Sequence, residues 1–169
     1  MRAIPIPLLV LAVLAAGCAG TATAAVSDNT PSAAARMVCA ADAQREISLS
    51  LGETLRKPVS QAWSDHVYSC DYVYPAGILT LSVRELSSTT AAATYYTRAH
   101  GRSTGPVTIS RLGQAAYADP DGSLTVRKDA MVLRVDVHAL PSAFGQPALS
   151  RQEAGRRVAA DIMNCWMGA

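Results

Sequence analysis

Met131-Val132-Leu133-Arg134-Val135-Asp136-Val137-His138 decides how this chain is read. A repeat of two sets Met131, Leu133, Val135 and Val137 on one face and Arg134, Asp136 and His138 on the other, the alternation of a strand buried on one side. Immediately upstream, Lys128-Asp129-Ala130 turns the chain, and Ser123-Leu124-Thr125-Val126-Arg127 alternates in the same way. Before that, Asp119-Pro120-Asp121-Gly122 is a turn signal, because Pro fixes φ and Gly accepts a positive φ. Leu112 to His138 therefore reads as two strands joined by turns, in an antiparallel sheet with one solvated face. None of these residues names a chemistry.

Working outward, Ser32 to Leu51 reads as a first helix. Cys39, Ala43, Ile47 and Leu51 form its apolar stripe, Pro31 suits its start and Gly52 its end. Glu53 to Trp63 is an irregular passage containing Pro58, with Trp63 held against the core. His66 to Tyr74 is a strand that places Tyr68, Cys70, Tyr72 and Tyr74 on one face, and Pro75-Ala76-Gly77 turns it into Ile78–Glu85. Ser87 or Ser88 caps an Ala-rich second helix ending at Gly101. Val107 to Ser110 is a short strand, and Pro141 to Pro147 interrupts order. Ser150-Arg151-Gln152-Glu153 has the form of a capping box opening a third helix, whose stripe runs Ala154, Val158, Ile162 and either Cys165 or Trp166. The expectation is an α+β fold with an antiparallel sheet of about five strands, one domain over residues 33–169 and no internal repeat.

The N-terminus carries an address. Arg2 followed by the apolar run Ile4 to Ala16, too short to span a bilayer, reads as a signal peptide over residues 1–17. It leads into Leu14-Ala15-Ala16-Gly17-Cys18, which resembles the lipobox of bacterial lipoproteins, with Leu four residues before the cysteine and Ala at the commoner Leu position. That resemblance implies that Cys18 is acylated and becomes the mature N-terminus, anchoring the protein by lipid to the extracytoplasmic face of the cell membrane. Ala19 to Ser32, rich in Ala, Thr, Ser and Gly, would be its flexible tether. The alternative is ordinary secretion, with cleavage near Ala22-Thr23-Ala24 and Cys18 discarded.

The 169-residue chain holds 15 Lys and Arg against 13 Asp and Glu, and losing Arg2 with the signal leaves a balance of +1. That is far from the basic excess of a nucleic-acid binder. The Ala and Arg content matches a GC-rich, actinobacterial source. Export places Cys39, Cys70 and Cys165 in an oxidising compartment, where they are disulfide candidates first. Cys39 and Cys70 are both expected to face the core and are the preferred pair. Closing a loop of that length stabilises by about 3.5 kcal/mol. Cys165 is then a buried free thiol or an alternative partner.

A helix with Cys39, a strand with Cys70, an Ala-rich helix, the Leu-Gly-x-Ala-Ala step at Leu112 to Ala116, a hairpin and a C-terminal helix resemble, together, a group of short actinobacterial envelope lipoproteins of unknown function. The likeness runs from Val38 to Ala169, lends no catalytic residue and leaves Cys165 outside its two-cysteine pattern. A more distant likeness is to the extracellular sensor domains of mycobacterial receptor kinases, which implies helices packed on one face of the sheet.

Enzyme signatures are few. The chain lacks G-x-S-x-G, H-E-x-x-H, C-x-x-C, a P-loop and G-x-G-x-x-G. Thr54-x-x-Lys57 has a nucleophile-to-lysine spacing without the partner motifs, and a solvated lysine is the better account. Asp65-His66 and Asp136-x-His138 could each orient an imidazole, but charge pairing on a polar strand face explains the latter more simply. His66, His100 and His138 are too scattered for a metal site. The expectation is thus a non-catalytic binding or accessory domain needing no cofactor, with an envelope protein as a possible partner. The alternatives are a carrier with an apolar cavity lined by Tyr68, Tyr72 and Leu133, and an envelope enzyme whose cleft gathers His66 or His138 with an acid.

Overall fold

The structure is a computed structural model that describes residues 30–167, with side chains to Trp166. The signal segment 1–17, Cys18 and the tether as far as Asn29 lie outside the described residues, as do Gly168 and Ala169. The strands are β1 (Ser60–Ser64), β2 (Val67–Tyr74), β3 (Gly77–Glu85), β4 (Val107–Ile109), β5 (Ala115–Ala118), β6 (Leu124–Lys128), β7 (Met131–Asp136), β8 (Ala143–Phe144) and β9 (Leu149–Ser150). The helices are α1 (Ala33–Arg36), α2 (Ala41–Leu51), α3 (Thr89–Arg102) and α4 (Arg151–Met167).

Seven strands form one antiparallel sheet in the order β1-β2-β3-β7-β6-β5-β4, two more than the alternation suggests, and β8 pairs with β9 separately. The sheet consists of two meanders, β1 to β3 and β4 to β7, joined through the β3–β7 pairing. α3 connects them. Because β3 sits beside β7 while β4 is the far edge, α3 must cross β7, β6 and β5 to reach it. It does so on the sheet face opposite the other helices, with Tyr96 against Tyr117 and Arg84 beneath Tyr95. The expectation of helices on one face is corrected accordingly. Val132 and Tyr117 are buried under α3, so the far face is solvated mainly over β1 to β3.

The other face carries the main core. Tyr72, Tyr74, Leu79, Leu81, Val83, Leu124, Leu133 and Val135 pack against Val38, Ile47 and Leu51 from the N-terminal helices and Val158 and Ile162 from α4. Trp166, not Cys165, completes the α4 stripe, and its Nε1 donates to the Ala34 carbonyl at 2.9 Å. Ser88 caps α3, Ser150 Oγ accepts from the Glu153 amide, and Gly52 ends α2 in the left-handed region, all as the sequence suggests. Gly155 is a close approach: a Cβ there would lie 2.7 Å from Leu124 Cδ1 and 2.8 Å from the Gly122 carbonyl oxygen.

The first helix is broken. α1 passes into a 3₁₀ turn at Met37–Cys39, and Ala40 is extended (ψ 156°) before α2 begins. Side chains take the carbonyls that a continuous helix would use: Tyr72 Oη donates to the Val38 oxygen at 2.6 Å, and Gln44 Nε2 to that of Cys39 at 2.8 Å. His66 is not in a strand. With Asp65 it forms the two-residue β1–β2 turn, both at positive φ (59° and 50°), the type I′ geometry that matches strand twist. The passage before it contains β1, whose Trp63 is half-buried against the core.

Candidate functional site

Residues singled out in the sequence fall mostly into structural roles. Cys39 and Cys70 are joined by a disulfide, and both are buried. Cys165 is a free, half-buried thiol; burial pushes its pKa up, as do the nearby carboxylates of Asp161, Glu46 and Asp42. That environment disfavours the thiolate and so disfavours nucleophilic or redox use. Thr54 and Lys57 are both exposed. Among the described residues no group of three or more His, Cys, Asp and Glu could hold a metal ion, and no helix is long and apolar enough to cross a membrane.

The structure does not bring the imidazoles together. His66 sits in the turn before β2, at the sheet end where β3 finishes; His138 follows β7 at the other end; His100 lies in α3 with its ring 5.0 Å from that of Tyr117. His138 Nδ1 is 2.5 Å from Asp136 Oδ1. Burial raises the Asp136 pKa, but the hydrogen bonds from His138 and the charges of His138 and Arg134 outweigh it and hold the carboxyl below its ordinary value. Tyr72 and Leu133, expected around a cavity, are fully buried in the packed core, and Tyr68 is nearly so. Tyr68 Oη donates to Gln61 Oε1 at 2.7 Å.

A groove lies elsewhere, between α4 and the turn linking β4 to β5. The Leu-Gly-x-Ala-Ala step builds it. Leu112 inserts its side chain toward the core, and Gly113, at φ 58°, lets the turn lie on β6: a Cβ there would be 2.7 Å from the Arg127 carbonyl oxygen. Gln114 then clamps the β6–β7 turn, its Oε1 accepting from Arg127 Nη1 at 3.1 Å and the Asp129 amide at 3.0 Å. Arg111, at φ 61°, is thereby fixed across from α4.

Two hollows of about 550 and 400 Å³ meet at Arg111, Leu112 and Ala160. Their apolar floor is Ile109, Leu112, Ala160 and Met163. Their polar rim is basic. Arg157 pairs with Glu153 at 3.3 Å and Lys128 with Asp129 at 2.7 Å, whereas Arg111 and Arg156 are exposed and have no ion pair among the described residues. The rim thus carries two uncompensated guanidinium groups over an apolar base, the chemistry of an anionic ligand with an apolar body. Sequence reading misses this site because Arg111, Lys128 and Arg156 stand far apart in the chain; Leu112-Gly113 was its one local signal.

The groove shares an end of the sheet with the point where the chain enters the fold. Ser32 caps α1 and its amide donates to Glu85 Oε1 at 3.1 Å. Glu85 is paired with Met131, and Met131 with Lys128 of the groove rim.

Comparison with family models, with curated proteins and with solved structures found no match.

Proposed function

We propose that this protein is an exported cell-envelope lipoprotein whose domain is a non-catalytic binding module. The α4 groove takes an anionic amphiphile, its acidic group at Arg111 and Arg156 and its apolar part on Leu112, Ala160 and Met163. The observation that carries this reading is the pair of uncompensated guanidinium groups above an apolar floor. Anchoring at Cys18 is supported by the lipobox-like Leu14 to Cys18, and the likeness to short envelope lipoproteins agrees with it. Two or more acyl chains on one cysteine hold a soluble domain durably, at about 0.8 kcal/mol per buried methylene. A tether entering at Ser32 would put the basic groove on the membrane-proximal end, where anionic headgroups attract cations.

Two measurements test the two halves. A Cys18→Ser variant should leave the membrane fraction or stall with its signal attached; sedimentation after processing, or a native mature chain starting at Ala25, replaces the anchor with plain secretion. Native mass spectrometry of the protein from its own membranes should find a co-purifying acidic lipid that is lost in Arg111→Glu/Arg156→Glu. Equal lipid occupancy in that folded double variant removes the groove from the proposal.

A further inference from the structure

A second, smaller hollow lies on the other side of the sheet, beneath α3. It measures about 210 Å³. Its polar lining is Arg84, Arg134, Ser82 and Thr125, and its apolar walls include Tyr95 and Tyr117. The antiparallel register explains the convergence. Ser82 pairs with Arg134 and Arg134 with Thr125, while Arg84 pairs with Val132, so both arginines rise from the same face of neighbouring strands on adjacent rungs. Diagonal neighbours of this kind have Cα atoms about 7–8 Å apart, within reach of long side chains.

The two guanidinium groups are differently committed. Arg134 Nη1 is bound to Asp119 and donates to Thr125 Oγ1 at 3.1 Å, so its charge is matched. Arg84 Nη1 donates to the Asp65 carbonyl at 3.1 Å, a neutral acceptor, and its guanidinium carbon lies 5.2 Å from the Tyr95 ring centre. Among the described residues Arg84 has no carboxylate partner, and no hydrogen bond uses Nε or Nη2 of either arginine. The acids around them are otherwise engaged: Asp119 also accepts from Ser103 Oγ, Asp65 Oδ2 from Ser64 at 3.3 Å, and Asp136, whose charge acts on Arg134, accepts from the His138 amide at 3.0 Å. Asp119 pairs with Arg134 and Asp136 also acts on it, so the guanidinium without a carboxylate partner in this half-enclosed, aromatic-walled space is that of Arg84.

We propose that this hollow is a binding site for a small carboxylic acid, its carboxylate held by Arg84 and Arg134 with Ser82, and its apolar body against Tyr95 and Tyr117. Guanidinium forks match carboxylates in two parallel bonds, and desolvation by α3 and the aromatic walls strengthens them. With Asp119 and Asp136 both acting on Arg134, Arg84 is the one guanidinium of the hollow without a carboxylate partner, which suits a carboxylate monoanion better than a phosphate dianion. The volume excludes a long acyl chain, so this occupant differs from that of the α4 groove.

Benzoate is the probe, with benzamide as its uncharged isostere and inorganic phosphate as the competing anion. Titration calorimetry on the purified mature chain should detect benzoate binding that benzamide does not reproduce. Arg84→Gln should weaken it about tenfold or more, the loss expected when one partner of a desolvated charge pair is truncated. Ser82→Ala, a smaller change that spares the fold, should weaken it less; every titration is run in an Arg111→Glu/Arg156→Glu background, so that the α4 groove offers benzoate no second anion site. The proposal is overturned by equal binding of benzamide, by phosphate binding without benzoate binding, by no benzoate binding at all, or by unchanged affinity in a folded Arg84→Gln protein.

Discussion

Replacing Tyr72 by Phe tests whether the break in the first helix is held by a side chain. Tyr72 Oη is fully buried and donates to the Val38 carbonyl at 2.6 Å, one residue before the disulfide-linked Cys39. Burial, the dominant cause, pushes its pKa well above the ordinary phenol value, so it is a donor at every physiological pH. The Phe variant keeps the ring and its packing but leaves the Val38 oxygen facing the core without that donor. An orphaned buried acceptor costs about 1–3 kcal/mol. With a urea dependence of about 2 kcal/mol per molar, the midpoint should fall by about 1 M while the slope stays fixed. Tyr74→Phe is the control on the same strand face. Its hydroxyl is buried with no partner at hydrogen-bonding geometry, although Ser48 is close enough to offset part of the rise to about 12 that burial causes. Removing that hydroxyl should be neutral or stabilising. If Tyr72→Phe changes stability by less than 0.5 kcal/mol, about the scatter of an indifferent substitution, or if the two variants lose equal stability, the helix break has another cause.

Gly155→Ala should lower stability, because overpacking against Leu124 and the Gly122 carbonyl costs about 1–3 kcal/mol and outweighs the gain of about 1 kcal/mol in helix propensity; a thermal melt at or above wild type would contradict it. A Cys39→Ala/Cys70→Ala pair should destabilise by about 3.5 kcal/mol, from a bridge spanning 31 positions, in chemical denaturation without reductant. Asp161 has a raised pKa, because burial outweighs the opposing effects of Ser50 and Arg157, and among the described residues its Oδ2 has no partner at hydrogen-bonding geometry, so ionisation disfavours the fold at neutral pH. Asp161→Asn should therefore stabilise at pH 7, with the advantage shrinking as pH falls through the raised value; denaturation at a series of pH values checks this. Asp136 works in the opposite sense: its lowered pKa contributes stability above the ordinary carboxylate range that is lost as pH falls through the folded value. Asp136→Asn should flatten that acid limb.

Legibility in the sequence followed the range of the forces involved. Alternation in β2, β3 and β7 was readable because each strand buries one face in the main core, as Tyr72, Leu81 and Leu133 show. Ser88, Gly52 and Ser150 were readable because a cap acts within a few residues. The break at Ala40 was not, since Tyr72, which donates to the Val38 carbonyl there, is distant in the chain. Asp65-His66 hid its turn by continuing the alternation of the strand after it. The side chosen by α3 depends on β4 being the far edge, a property of the whole sheet. Both hollows join charges from separate elements, so Arg111 with Arg156, and Arg84 with Arg134, meet only in the folded chain.

The division of the sheet into two meanders also sets an order of events during biogenesis. A polypeptide emerges N-terminus first, and its folding units tend to form in that order. β1 to β3 pair only with one another until β7 arrives, and Cys39 and Cys70 both belong to this early portion. Their bond can close while Cys165, on the last helix, is still to come. The half-buried third thiol thus joins the chain only after Cys39 and Cys70 have both emerged, which shortens the time in which it can compete for either.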